Sequence, residues 1–193
     1  MNHRKPIPQA ELTCGKRRDF LALGAGMLAL ASLGAKAGGA AKPAERILSF
    51  HNLHTGESFR APYWVQGQYV PEVLGAIDHL LRDHRTGEVM PIDRALLDLI
   101  HALTSRLDAS GPVQVISGYR SPATNRTLHA RSSGVASHSL HMEGRAIDLR
   151  IEGRDLSRLR DAALALQGGG VGFYPQSGFV HVDTGRLRSW TGV

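Results

Sequence analysis

Apolar residues recur at helical spacing in two stretches of the chain, each opened by a proline. After Pro71 the apolar positions are Val73, Leu74, Ile77, Leu80 and Leu81, and after Pro91 they are Leu96, Leu97, Ile100, Leu103 and Leu107. Intervals of three and four residues place such side chains on one face of a helix, and proline suits a first helical turn. The pattern predicts one helix that begins at Pro71 and another that begins at Pro91, both covering a sheet.

Runs rich in β-branched and aromatic residues predict short strands. They cover residues 46–53, 58–65, 113–118, 144–151, 171–175 and 178–184. The first two flank a glycine-containing turn and the last two flank a tight turn, so each pair predicts a hairpin. Ser121 and Pro122 suit the start of a short helix, and a further helix is predicted from Asp155 to the glycines at 168–170. This order of elements predicts an α+β fold with a small, mainly antiparallel sheet and helices packed on one side.

The N-terminus predicts export. Lys16 to Ala37 reads K-R-R-D-F-L-A-L-G-A-G-M-L-A-L-A-S-L-G-A-K-A, and paired arginines before a short, weakly apolar run resemble a twin-arginine signal. An uncleaved anchor is the alternative, although the run is short for a membrane span. We therefore expect a signal peptide at 1–37, a flexible leader at 38–45 and a single domain at 46–193. Cys14, the single cysteine, would leave with the signal, which excludes disulfides and thiolate ligands in the domain.

The net charge of +6 is concentrated at the N-terminus. Residues 1–37 contain six lysines and arginines and two acids, so the remainder carries a net charge of only +2. That remainder has no basic excess of the size typical of a nucleic-acid-binding surface. We expect no nucleic-acid partner and no permanent membrane span after processing.

Three polar residues stand in apolar, strand-like surroundings. Asp148 lies between Ile147 and Leu149, His181 lies between two valines, and His141 precedes Asp148 by seven residues. A buried carboxylate is costly unless it is paired or binds a metal, and two imidazoles with one carboxylate form a catalytic zinc set with an open fourth position. On these residues alone, a hydrogen-bonded core histidine at His181 and an arginine partner for Asp148 explain the pattern about as well.

Three sequence blocks together resemble the D-Ala-D-Ala-type zinc metallopeptidases (peptidase M15), in particular their exported murein endopeptidase branch. S-L-H-M-E-G-R-A-I-D, residues 139–148, is similar to the family signature S-x-H-x-x-G-x-A-x-D. S-G-Y-R-S-P-A-T-N, residues 117–125, is the upstream block, and residues 170–190 contain the third. The resemblance extends from about residue 47 to residue 190 and implies the fold of the LAS-type metallopeptidases.

The resemblance also implies roles for individual residues. His141, Asp148 and His181 would bind Zn²⁺, and the ion would activate water for attack on a peptide bond. Arg120 would stabilise the developing oxyanion, with a structural salt bridge as the alternative. The expected substrate contacts are Tyr119, Ser121, Asn125 and Ser139. Capping of turns or helices is the alternative for the two serines and Asn125, and Tyr174 and Trp190 would either line the groove or pack in the core.

The general base is where the chain departs from the family pattern. Relatives place glutamate three residues before the last histidine ligand, or histidine two before it, and here these positions are Gly178 and Phe179. Asp183 lies two residues after His181, on the same side of a strand. It could act as the base or hold the ligand histidine in one tautomer. His138 and Glu143 are less favoured candidates.

These observations predict a periplasmic zinc metallopeptidase, expected to be a monomer, that hydrolyses peptide cross-links in peptidoglycan. A D,D- or L,D-carboxypeptidase acting on single stem peptides is the nearest alternative. Because the family's glutamate is missing, a non-catalytic peptidoglycan-binding module stays open as well. A phosphoesterase would need a second set of metal ligands, for which the sequence offers no candidates.

Overall fold

The computed structural model describes residues 44–131 and 134–192. The predicted signal peptide at 1–37 lies outside the described residues, as does the predicted leader except for its last two residues. No helix within the described part is long and apolar enough to cross a membrane.

The described residues form four α-helices, one 3-10 turn and a single eight-stranded sheet. The strands are β1 (Glu45–Asn52), β2 (Ser58–Val65), β3 (Gln68–Tyr69), β4 (Val113–Ser117), β5 (Ala146–Ile151), β6 (Gly170–Tyr174), β7 (Phe179–Asp183) and β8 (Arg188–Thr191). The helices are α1 (Pro71–Leu80), α2 (Arg94–Arg106), α3 (Pro122–Arg131) and α4 (Leu156–Leu166), and the 3-10 turn is Leu140–Glu143.

The strands lie in the order β3-β2-β1-β4-β5-β7-β6-β8. Neighbouring strands are antiparallel except for two parallel pairs, β1 with β4 and β6 with β8. The predicted α+β class and mainly antiparallel sheet are confirmed, and both predicted hairpins form, β1 with β2 and β6 with β7. The centre of the sheet is β4-β5-β7, which carries two of the three predicted metal ligands.

Helices α1, α2 and α4 share one hydrophobic core with the sheet. The apolar stripe of α2 is fully buried at Leu96, Leu97, Ile100 and Leu103, as its spacing predicts. Helix α3 differs, because its buried residues, Thr124 and Asn125, are polar. Its ordering therefore depends on hydrogen bonds near the site more than on apolar packing.

The start of α2 differs from the prediction. The helix begins at Arg94 rather than at Pro91, because Asp93 is the N-cap and its carboxylate accepts a hydrogen bond from the Ala95 N–H at 3.0 Å. An N-cap aspartate satisfies a backbone donor that has no partner within the helix. Pro91 and Ile92 precede the helix, and the Ile92 N–H donates to Asp78.

Candidate active site

The structure brings His141, Asp148 and His181 together. Asp148 on β5 and His181 on β7 are direct cross-strand partners, and His141 lies on the 3-10 turn that precedes β5. His181 Nδ1 is 2.8 Å from Asp148 Oδ1 and 3.2 Å from His141 Nε2, and the latter is 3.3 Å from Asp148 Oδ1. The three predicted ligands thus converge on one point.

Both histidines have a tautomer that suits a metal ligand. His141 Nδ1 is 2.7 Å from the carbonyl oxygen of Gly118, so this nitrogen donates. His181 Nε2 is 3.0 Å from Asp183 Oδ2 and donates there. When both rings are neutral, as metal binding requires, the other nitrogen of each ring presents its lone pair to the shared point. Hydrogen-bond partners of this kind commonly fix the tautomer of histidines that bind metals.

The spacing of the three ligand atoms fits a small divalent ion. Ligands at zinc bond lengths in a tetrahedral site lie about 3.4 Å apart, and the distances here are 2.8–3.3 Å. The exposed fractions of His141, Asp148 and His181 are 2%, 7% and 9%. The three side chains are therefore almost inaccessible to solvent. Their two nitrogens and one oxygen are compatible with a metal ion.

The charges of the cluster are coupled. Burial alone would raise the pKa of Asp148, but His141, together with hydrogen bonds to both histidines, holds that pKa well below its usual range. Burial opposes a charge on His181, yet its hydrogen bonds with Asp148 and Asp183 raise its pKa to about 9. Burial lowers the pKa of His141. The Asp148 carboxylate is therefore an anion that lies between two basic groups, the His181 imidazole and the Arg120 guanidinium.

Two local features bring His141 and Asp148 to the same place. Ser139 caps the 3-10 turn, with its Oγ accepting from the His141 N–H. Gly144 ends the turn with a φ of +66°, and a Cβ there would lie 2.5 Å from the carbonyl oxygen of Pro91. Glycine is the residue that adopts this conformation without strain, so the chain can turn sharply from His141 into β5.

Arg120 lies beside the cluster with few partners for its guanidinium. Its Nη2 is 3.6 Å from Asp148 Oδ2, and its hydrogen bonds to Asn125 and Ser117 are both long, at 3.4 Å. Its Nε is buried and has no hydrogen-bond partner within the described part of the chain. Burial lowers the pKa of Arg120. A buried donor without a partner is costly, and the Arg120 side chain forms part of a cavity wall.

A cavity of about 740 Å³ opens over the cluster. All three predicted metal ligands line it, together with Arg120. The remaining walls come from the 3-10 turn and the loop before it, from strands β6 to β8, and from the residues that connect or follow these strands: Gly134, Val135, Ala136, His138, Ser139, Leu140, Tyr174, Ser177, Phe179, Arg188, Trp190, Thr191 and Gly192. Tyr174 stacks on Phe179, and Trp190 donates to the Tyr174 hydroxyl at 2.9 Å. One wall is thus an ordered aromatic surface.

Known proteins of one family are similar to this chain over most of its length. The family model described as "Peptidoglycan L,D-endopeptidase MepK" matches residues 40–190. The chain belongs to this peptidase family. Proteins named peptidoglycan L,D-endopeptidase MepK from Escherichia coli (strain K12) and Shigella flexneri are each 47% identical to it over 175 residues, covering 90% of this chain and 96% of the relative. A "probable" MepK from Haemophilus influenzae is 41% identical over 152 residues, covering 78% and 82%. The peptidase M15 membership indicated by the three sequence blocks is confirmed.

The residues predicted to contact substrate in this peptidase fall into two groups. Ser139 lines the cavity. Tyr119, Ser121 and Asn125 are buried and have structural partners: the Tyr119 N–H donates to the Leu81 carbonyl, and Ser121 Oγ accepts from the Thr124 N–H at the start of α3. Substrate contact stays a prediction for all four residues, and of the four Ser139 lines the cavity.

Asn125 supports the cavity wall. Its Oδ1 accepts from Arg120, and its Nδ2 donates to the carbonyl oxygens of Ala136 and Ser137. It therefore links the arginine to the loop that precedes the 3-10 turn.

Asp183 lies behind His181. Its carboxylate is 0% exposed and accepts from His181, from the backbone N–H groups of Gly170 and Gly185, and twice from Arg188. Burial alone would raise its pKa, but the hydrogen bonds from His181 and Arg188 hold that pKa well below the usual range. Of the two roles predicted for Asp183, this geometry favours the orientation of His181.

The two less favoured base candidates lie in different places. His138 is exposed and lines the cavity. Glu143 is also exposed, but its carboxylate pairs with Arg145 at 3.1 Å.

Sequence reasoning missed two site-supporting residues, Arg188 and Asp83. Asp83 accepts the Ser121 N–H next to Arg120, and its only sequence signal is a turn position after α1. Arg188 has a clearer signal. In R-S-W, residues 188–190, large side chains stand two residues apart, and in G-V-G, residues 170–172, glycines have the same spacing; the two runs pair in parallel register, with each large side chain opposite a glycine.

Proposed function

We propose that this chain is a zinc-dependent peptidoglycan endopeptidase that hydrolyses peptide cross-links. The observation that carries the proposal is the convergence of His141 Nε2, Asp148 Oδ1 and His181 Nδ1 on one point at the base of a cavity. Two nitrogens and one oxygen are the ligand set of catalytic zinc sites, which keep a position open for water or substrate. A zinc ion held by these three residues would supply Lewis acidity and activate water.

The residues around the cluster would share the remaining work. Arg120 would donate to the scissile carbonyl oxygen as negative charge develops there, and its position in the cavity wall beside Asp148 supports this role. Asp183 would hold His181 in the tautomer that binds the ion. His138 lines the cavity and is not one of the three proposed ligands. We assign to it the role of general base, which takes a proton from the attacking water.

The names of the relatives favour one type of cross-link. They are called L,D-endopeptidases, and a link between two diaminopimelate residues joins an L-centre carbonyl to a D-centre amine. A link from D-Ala to diaminopimelate joins two D-centres instead. We therefore assign the diaminopimelate–diaminopimelate link as the bond that is hydrolysed.

The site of action would be the periplasm. The relatives' names place their substrate in the cell wall, and the twin-arginine pattern at 1–37 would export the folded domain, residues 46–193, after the leader at 38–45. We expect the exported domain to act as a monomer that binds no nucleic acid.

Purified sacculi test the proposal. Zinc-loaded protein without the predicted signal peptide, residues 38–193, is incubated with sacculi rich in either type of cross-link, and the soluble muropeptides are separated by chromatography. We expect loss of diaminopimelate–diaminopimelate dimers and a matching gain of monomers. Trimming of monomer stems alone would indicate the carboxypeptidase, and adsorption without new species would indicate the binding module.

A further inference from the structure

Arg188 on β8 makes a two-point ion pair behind the candidate metal ligands. Its Nη2 is 2.6 Å from Asp183 Oδ2 and its Nη1 is 3.1 Å from Asp183 Oδ1. The same Oδ2 accepts from His181 Nε2. A guanidinium that binds both oxygens of a carboxylate fixes the plane of that carboxylate as well as its position. Arg188 therefore sets the direction in which Asp183 Oδ2 faces the imidazole.

The neighbouring strand is built to admit this ion pair. Gly170 on β6 is the register partner of Arg188, and a Cβ at Gly170 would lie 2.4 Å from Arg188 Nη1 and 2.5 Å from Asp183 Oδ2. A Cβ at Gly185 would lie 3.0 Å from Asp183 Oδ1. Both glycines also donate their backbone N–H groups to Asp183. A side chain at either position would push the carboxylate or the guanidinium away.

The next pair along the same strands supports the ring of His181. Gly172 is the register partner of Trp190, and a Cβ there would lie 2.6 Å from the indole. The indole centroid lies 5.2 Å from that of His181, and the Arg188 guanidinium lies 5.0 Å from the indole centroid. The alternating R-x-W of β8 thus packs over the alternating G-x-G of β6 and reaches His181 both directly and through Asp183.

We propose that Arg188 is a positioning residue for the metal site: it fixes the Asp183 carboxylate, which holds the His181 ring so that Nδ1 faces His141 and Asp148. This inference rests on the proposed zinc site. Outer partners of metal-ligating histidines typically contribute 10- to 100-fold to metal affinity. Because Arg188 acts through Asp183, we expect its loss to weaken zinc binding at the lower end of this range, by about tenfold.

Zinc affinity of the purified domain tests the inference without reference to catalysis. Arg188→Met keeps an apolar side chain over Trp190 and removes the guanidinium. Arg188→Lys keeps the positive charge, but its ammonium group contacts the carboxylate at a single point instead of two. Arg186→Met is the matched control, because it removes an equal charge from an exposed residue of the same segment. Dissociation constants for Zn²⁺ are measured by competition with a chromophoric chelator, and circular dichroism gives the folded fraction of each variant.

We expect Arg188→Met to bind Zn²⁺ about tenfold more weakly, Arg188→Lys to fall between it and the wild type, and Arg186→Met to bind like the wild type. Equal affinity of folded Arg188→Met and wild type would overturn the inference and leave the zinc site standing. If Arg188→Met does not fold, Arg188→Lys decides in the same way. A wild-type domain that binds no Zn²⁺ would refute the zinc site itself.

Discussion

Asp83 lies in the turn after α1 and holds the segment that carries Arg120. Its carboxylate, 1% exposed, accepts the Ser121 N–H at 2.9 Å. On the other side of Arg120, the Tyr119 N–H donates to the Leu81 carbonyl at 2.7 Å. The turn thus anchors both neighbours of the arginine, so an Asp83→Asn substitution should weaken the support beneath it.

The pKa of Asp83 sets the size of the expected effect. Burial alone would raise this pKa, but hydrogen bonds from the Thr124 side chain and from the Arg85 and Ser121 N–H groups lower it from 3.8 to about 2. The difference corresponds to about 2 kcal/mol of stability at neutral pH. Because the folded-state pKa is the lower one, this contribution is complete above about pH 5 and is lost as the pH falls towards 2. Roughly half of it should remain at pH 3.

Urea unfolding of wild type and Asp83→Asn at pH 7 and pH 3 measures this contribution. We expect the variant to be about 2 kcal/mol less stable at pH 7 and about 1 kcal/mol less stable at pH 3. Asp161→Asn, which removes an exposed carboxylate, should change stability by less than about 0.5 kcal/mol at either pH. A difference between wild type and Asp83→Asn that stays constant or grows on acidification would show that the Asp83 carboxylate does not stabilise the fold through its charge.

Three further substitutions separate the roles assigned around the cluster. His181→Ala should remove bound zinc, as measured by elemental analysis, and a retained stoichiometric ion would exclude His181 as a ligand. Asp183→Asn should weaken zinc binding by about 10- to 100-fold in chelator competition, whereas slower hydrolysis with unchanged zinc affinity would instead identify Asp183 as the base. His138→Gln should keep its zinc and slow release of muropeptides by about 100-fold or more, and a wild-type rate would end its assignment as the base.

The strands that carry Asp148 and His181 could be predicted from their apolar residues, and the resemblance to the family joined these two residues with His141; their role as zinc ligands stays a prediction. Asp148 and His181 each interrupt an apolar strand, and such interruptions are visible in sequence. The sequence pattern places the start of α2 three residues too early, at Pro91. The true start at Arg94 depends on the Asp93 cap and on which backbone groups find partners elsewhere in the fold. Ile92, for example, donates to Asp78 on α1.

Strand β8 went unpredicted for a related reason. R-S-W-T has no apolar alternation, and it becomes a strand only because β6 offers a parallel partner whose two glycines leave room above the sheet. Such pairing depends on long-range register, which propensity does not determine.

Residues that support a metal ligand are harder to recognise in sequence than the ligand itself. A ligand must be one of a few residue types, whereas the support of His181 comes from the Arg188–Asp183 ion pair, from two backbone N–H groups and from space that glycines leave free. Gly170 and Gly172 illustrate this, since each contributes by the absence of a Cβ beneath Arg188 and Trp190. In a chain of this family, a glycine pair with period two should therefore be interpreted together with the strand beside it. Here the glycines of G-V-G leave space for the side chains of Arg188 and Trp190, which support His181 through Asp183 and by direct contact.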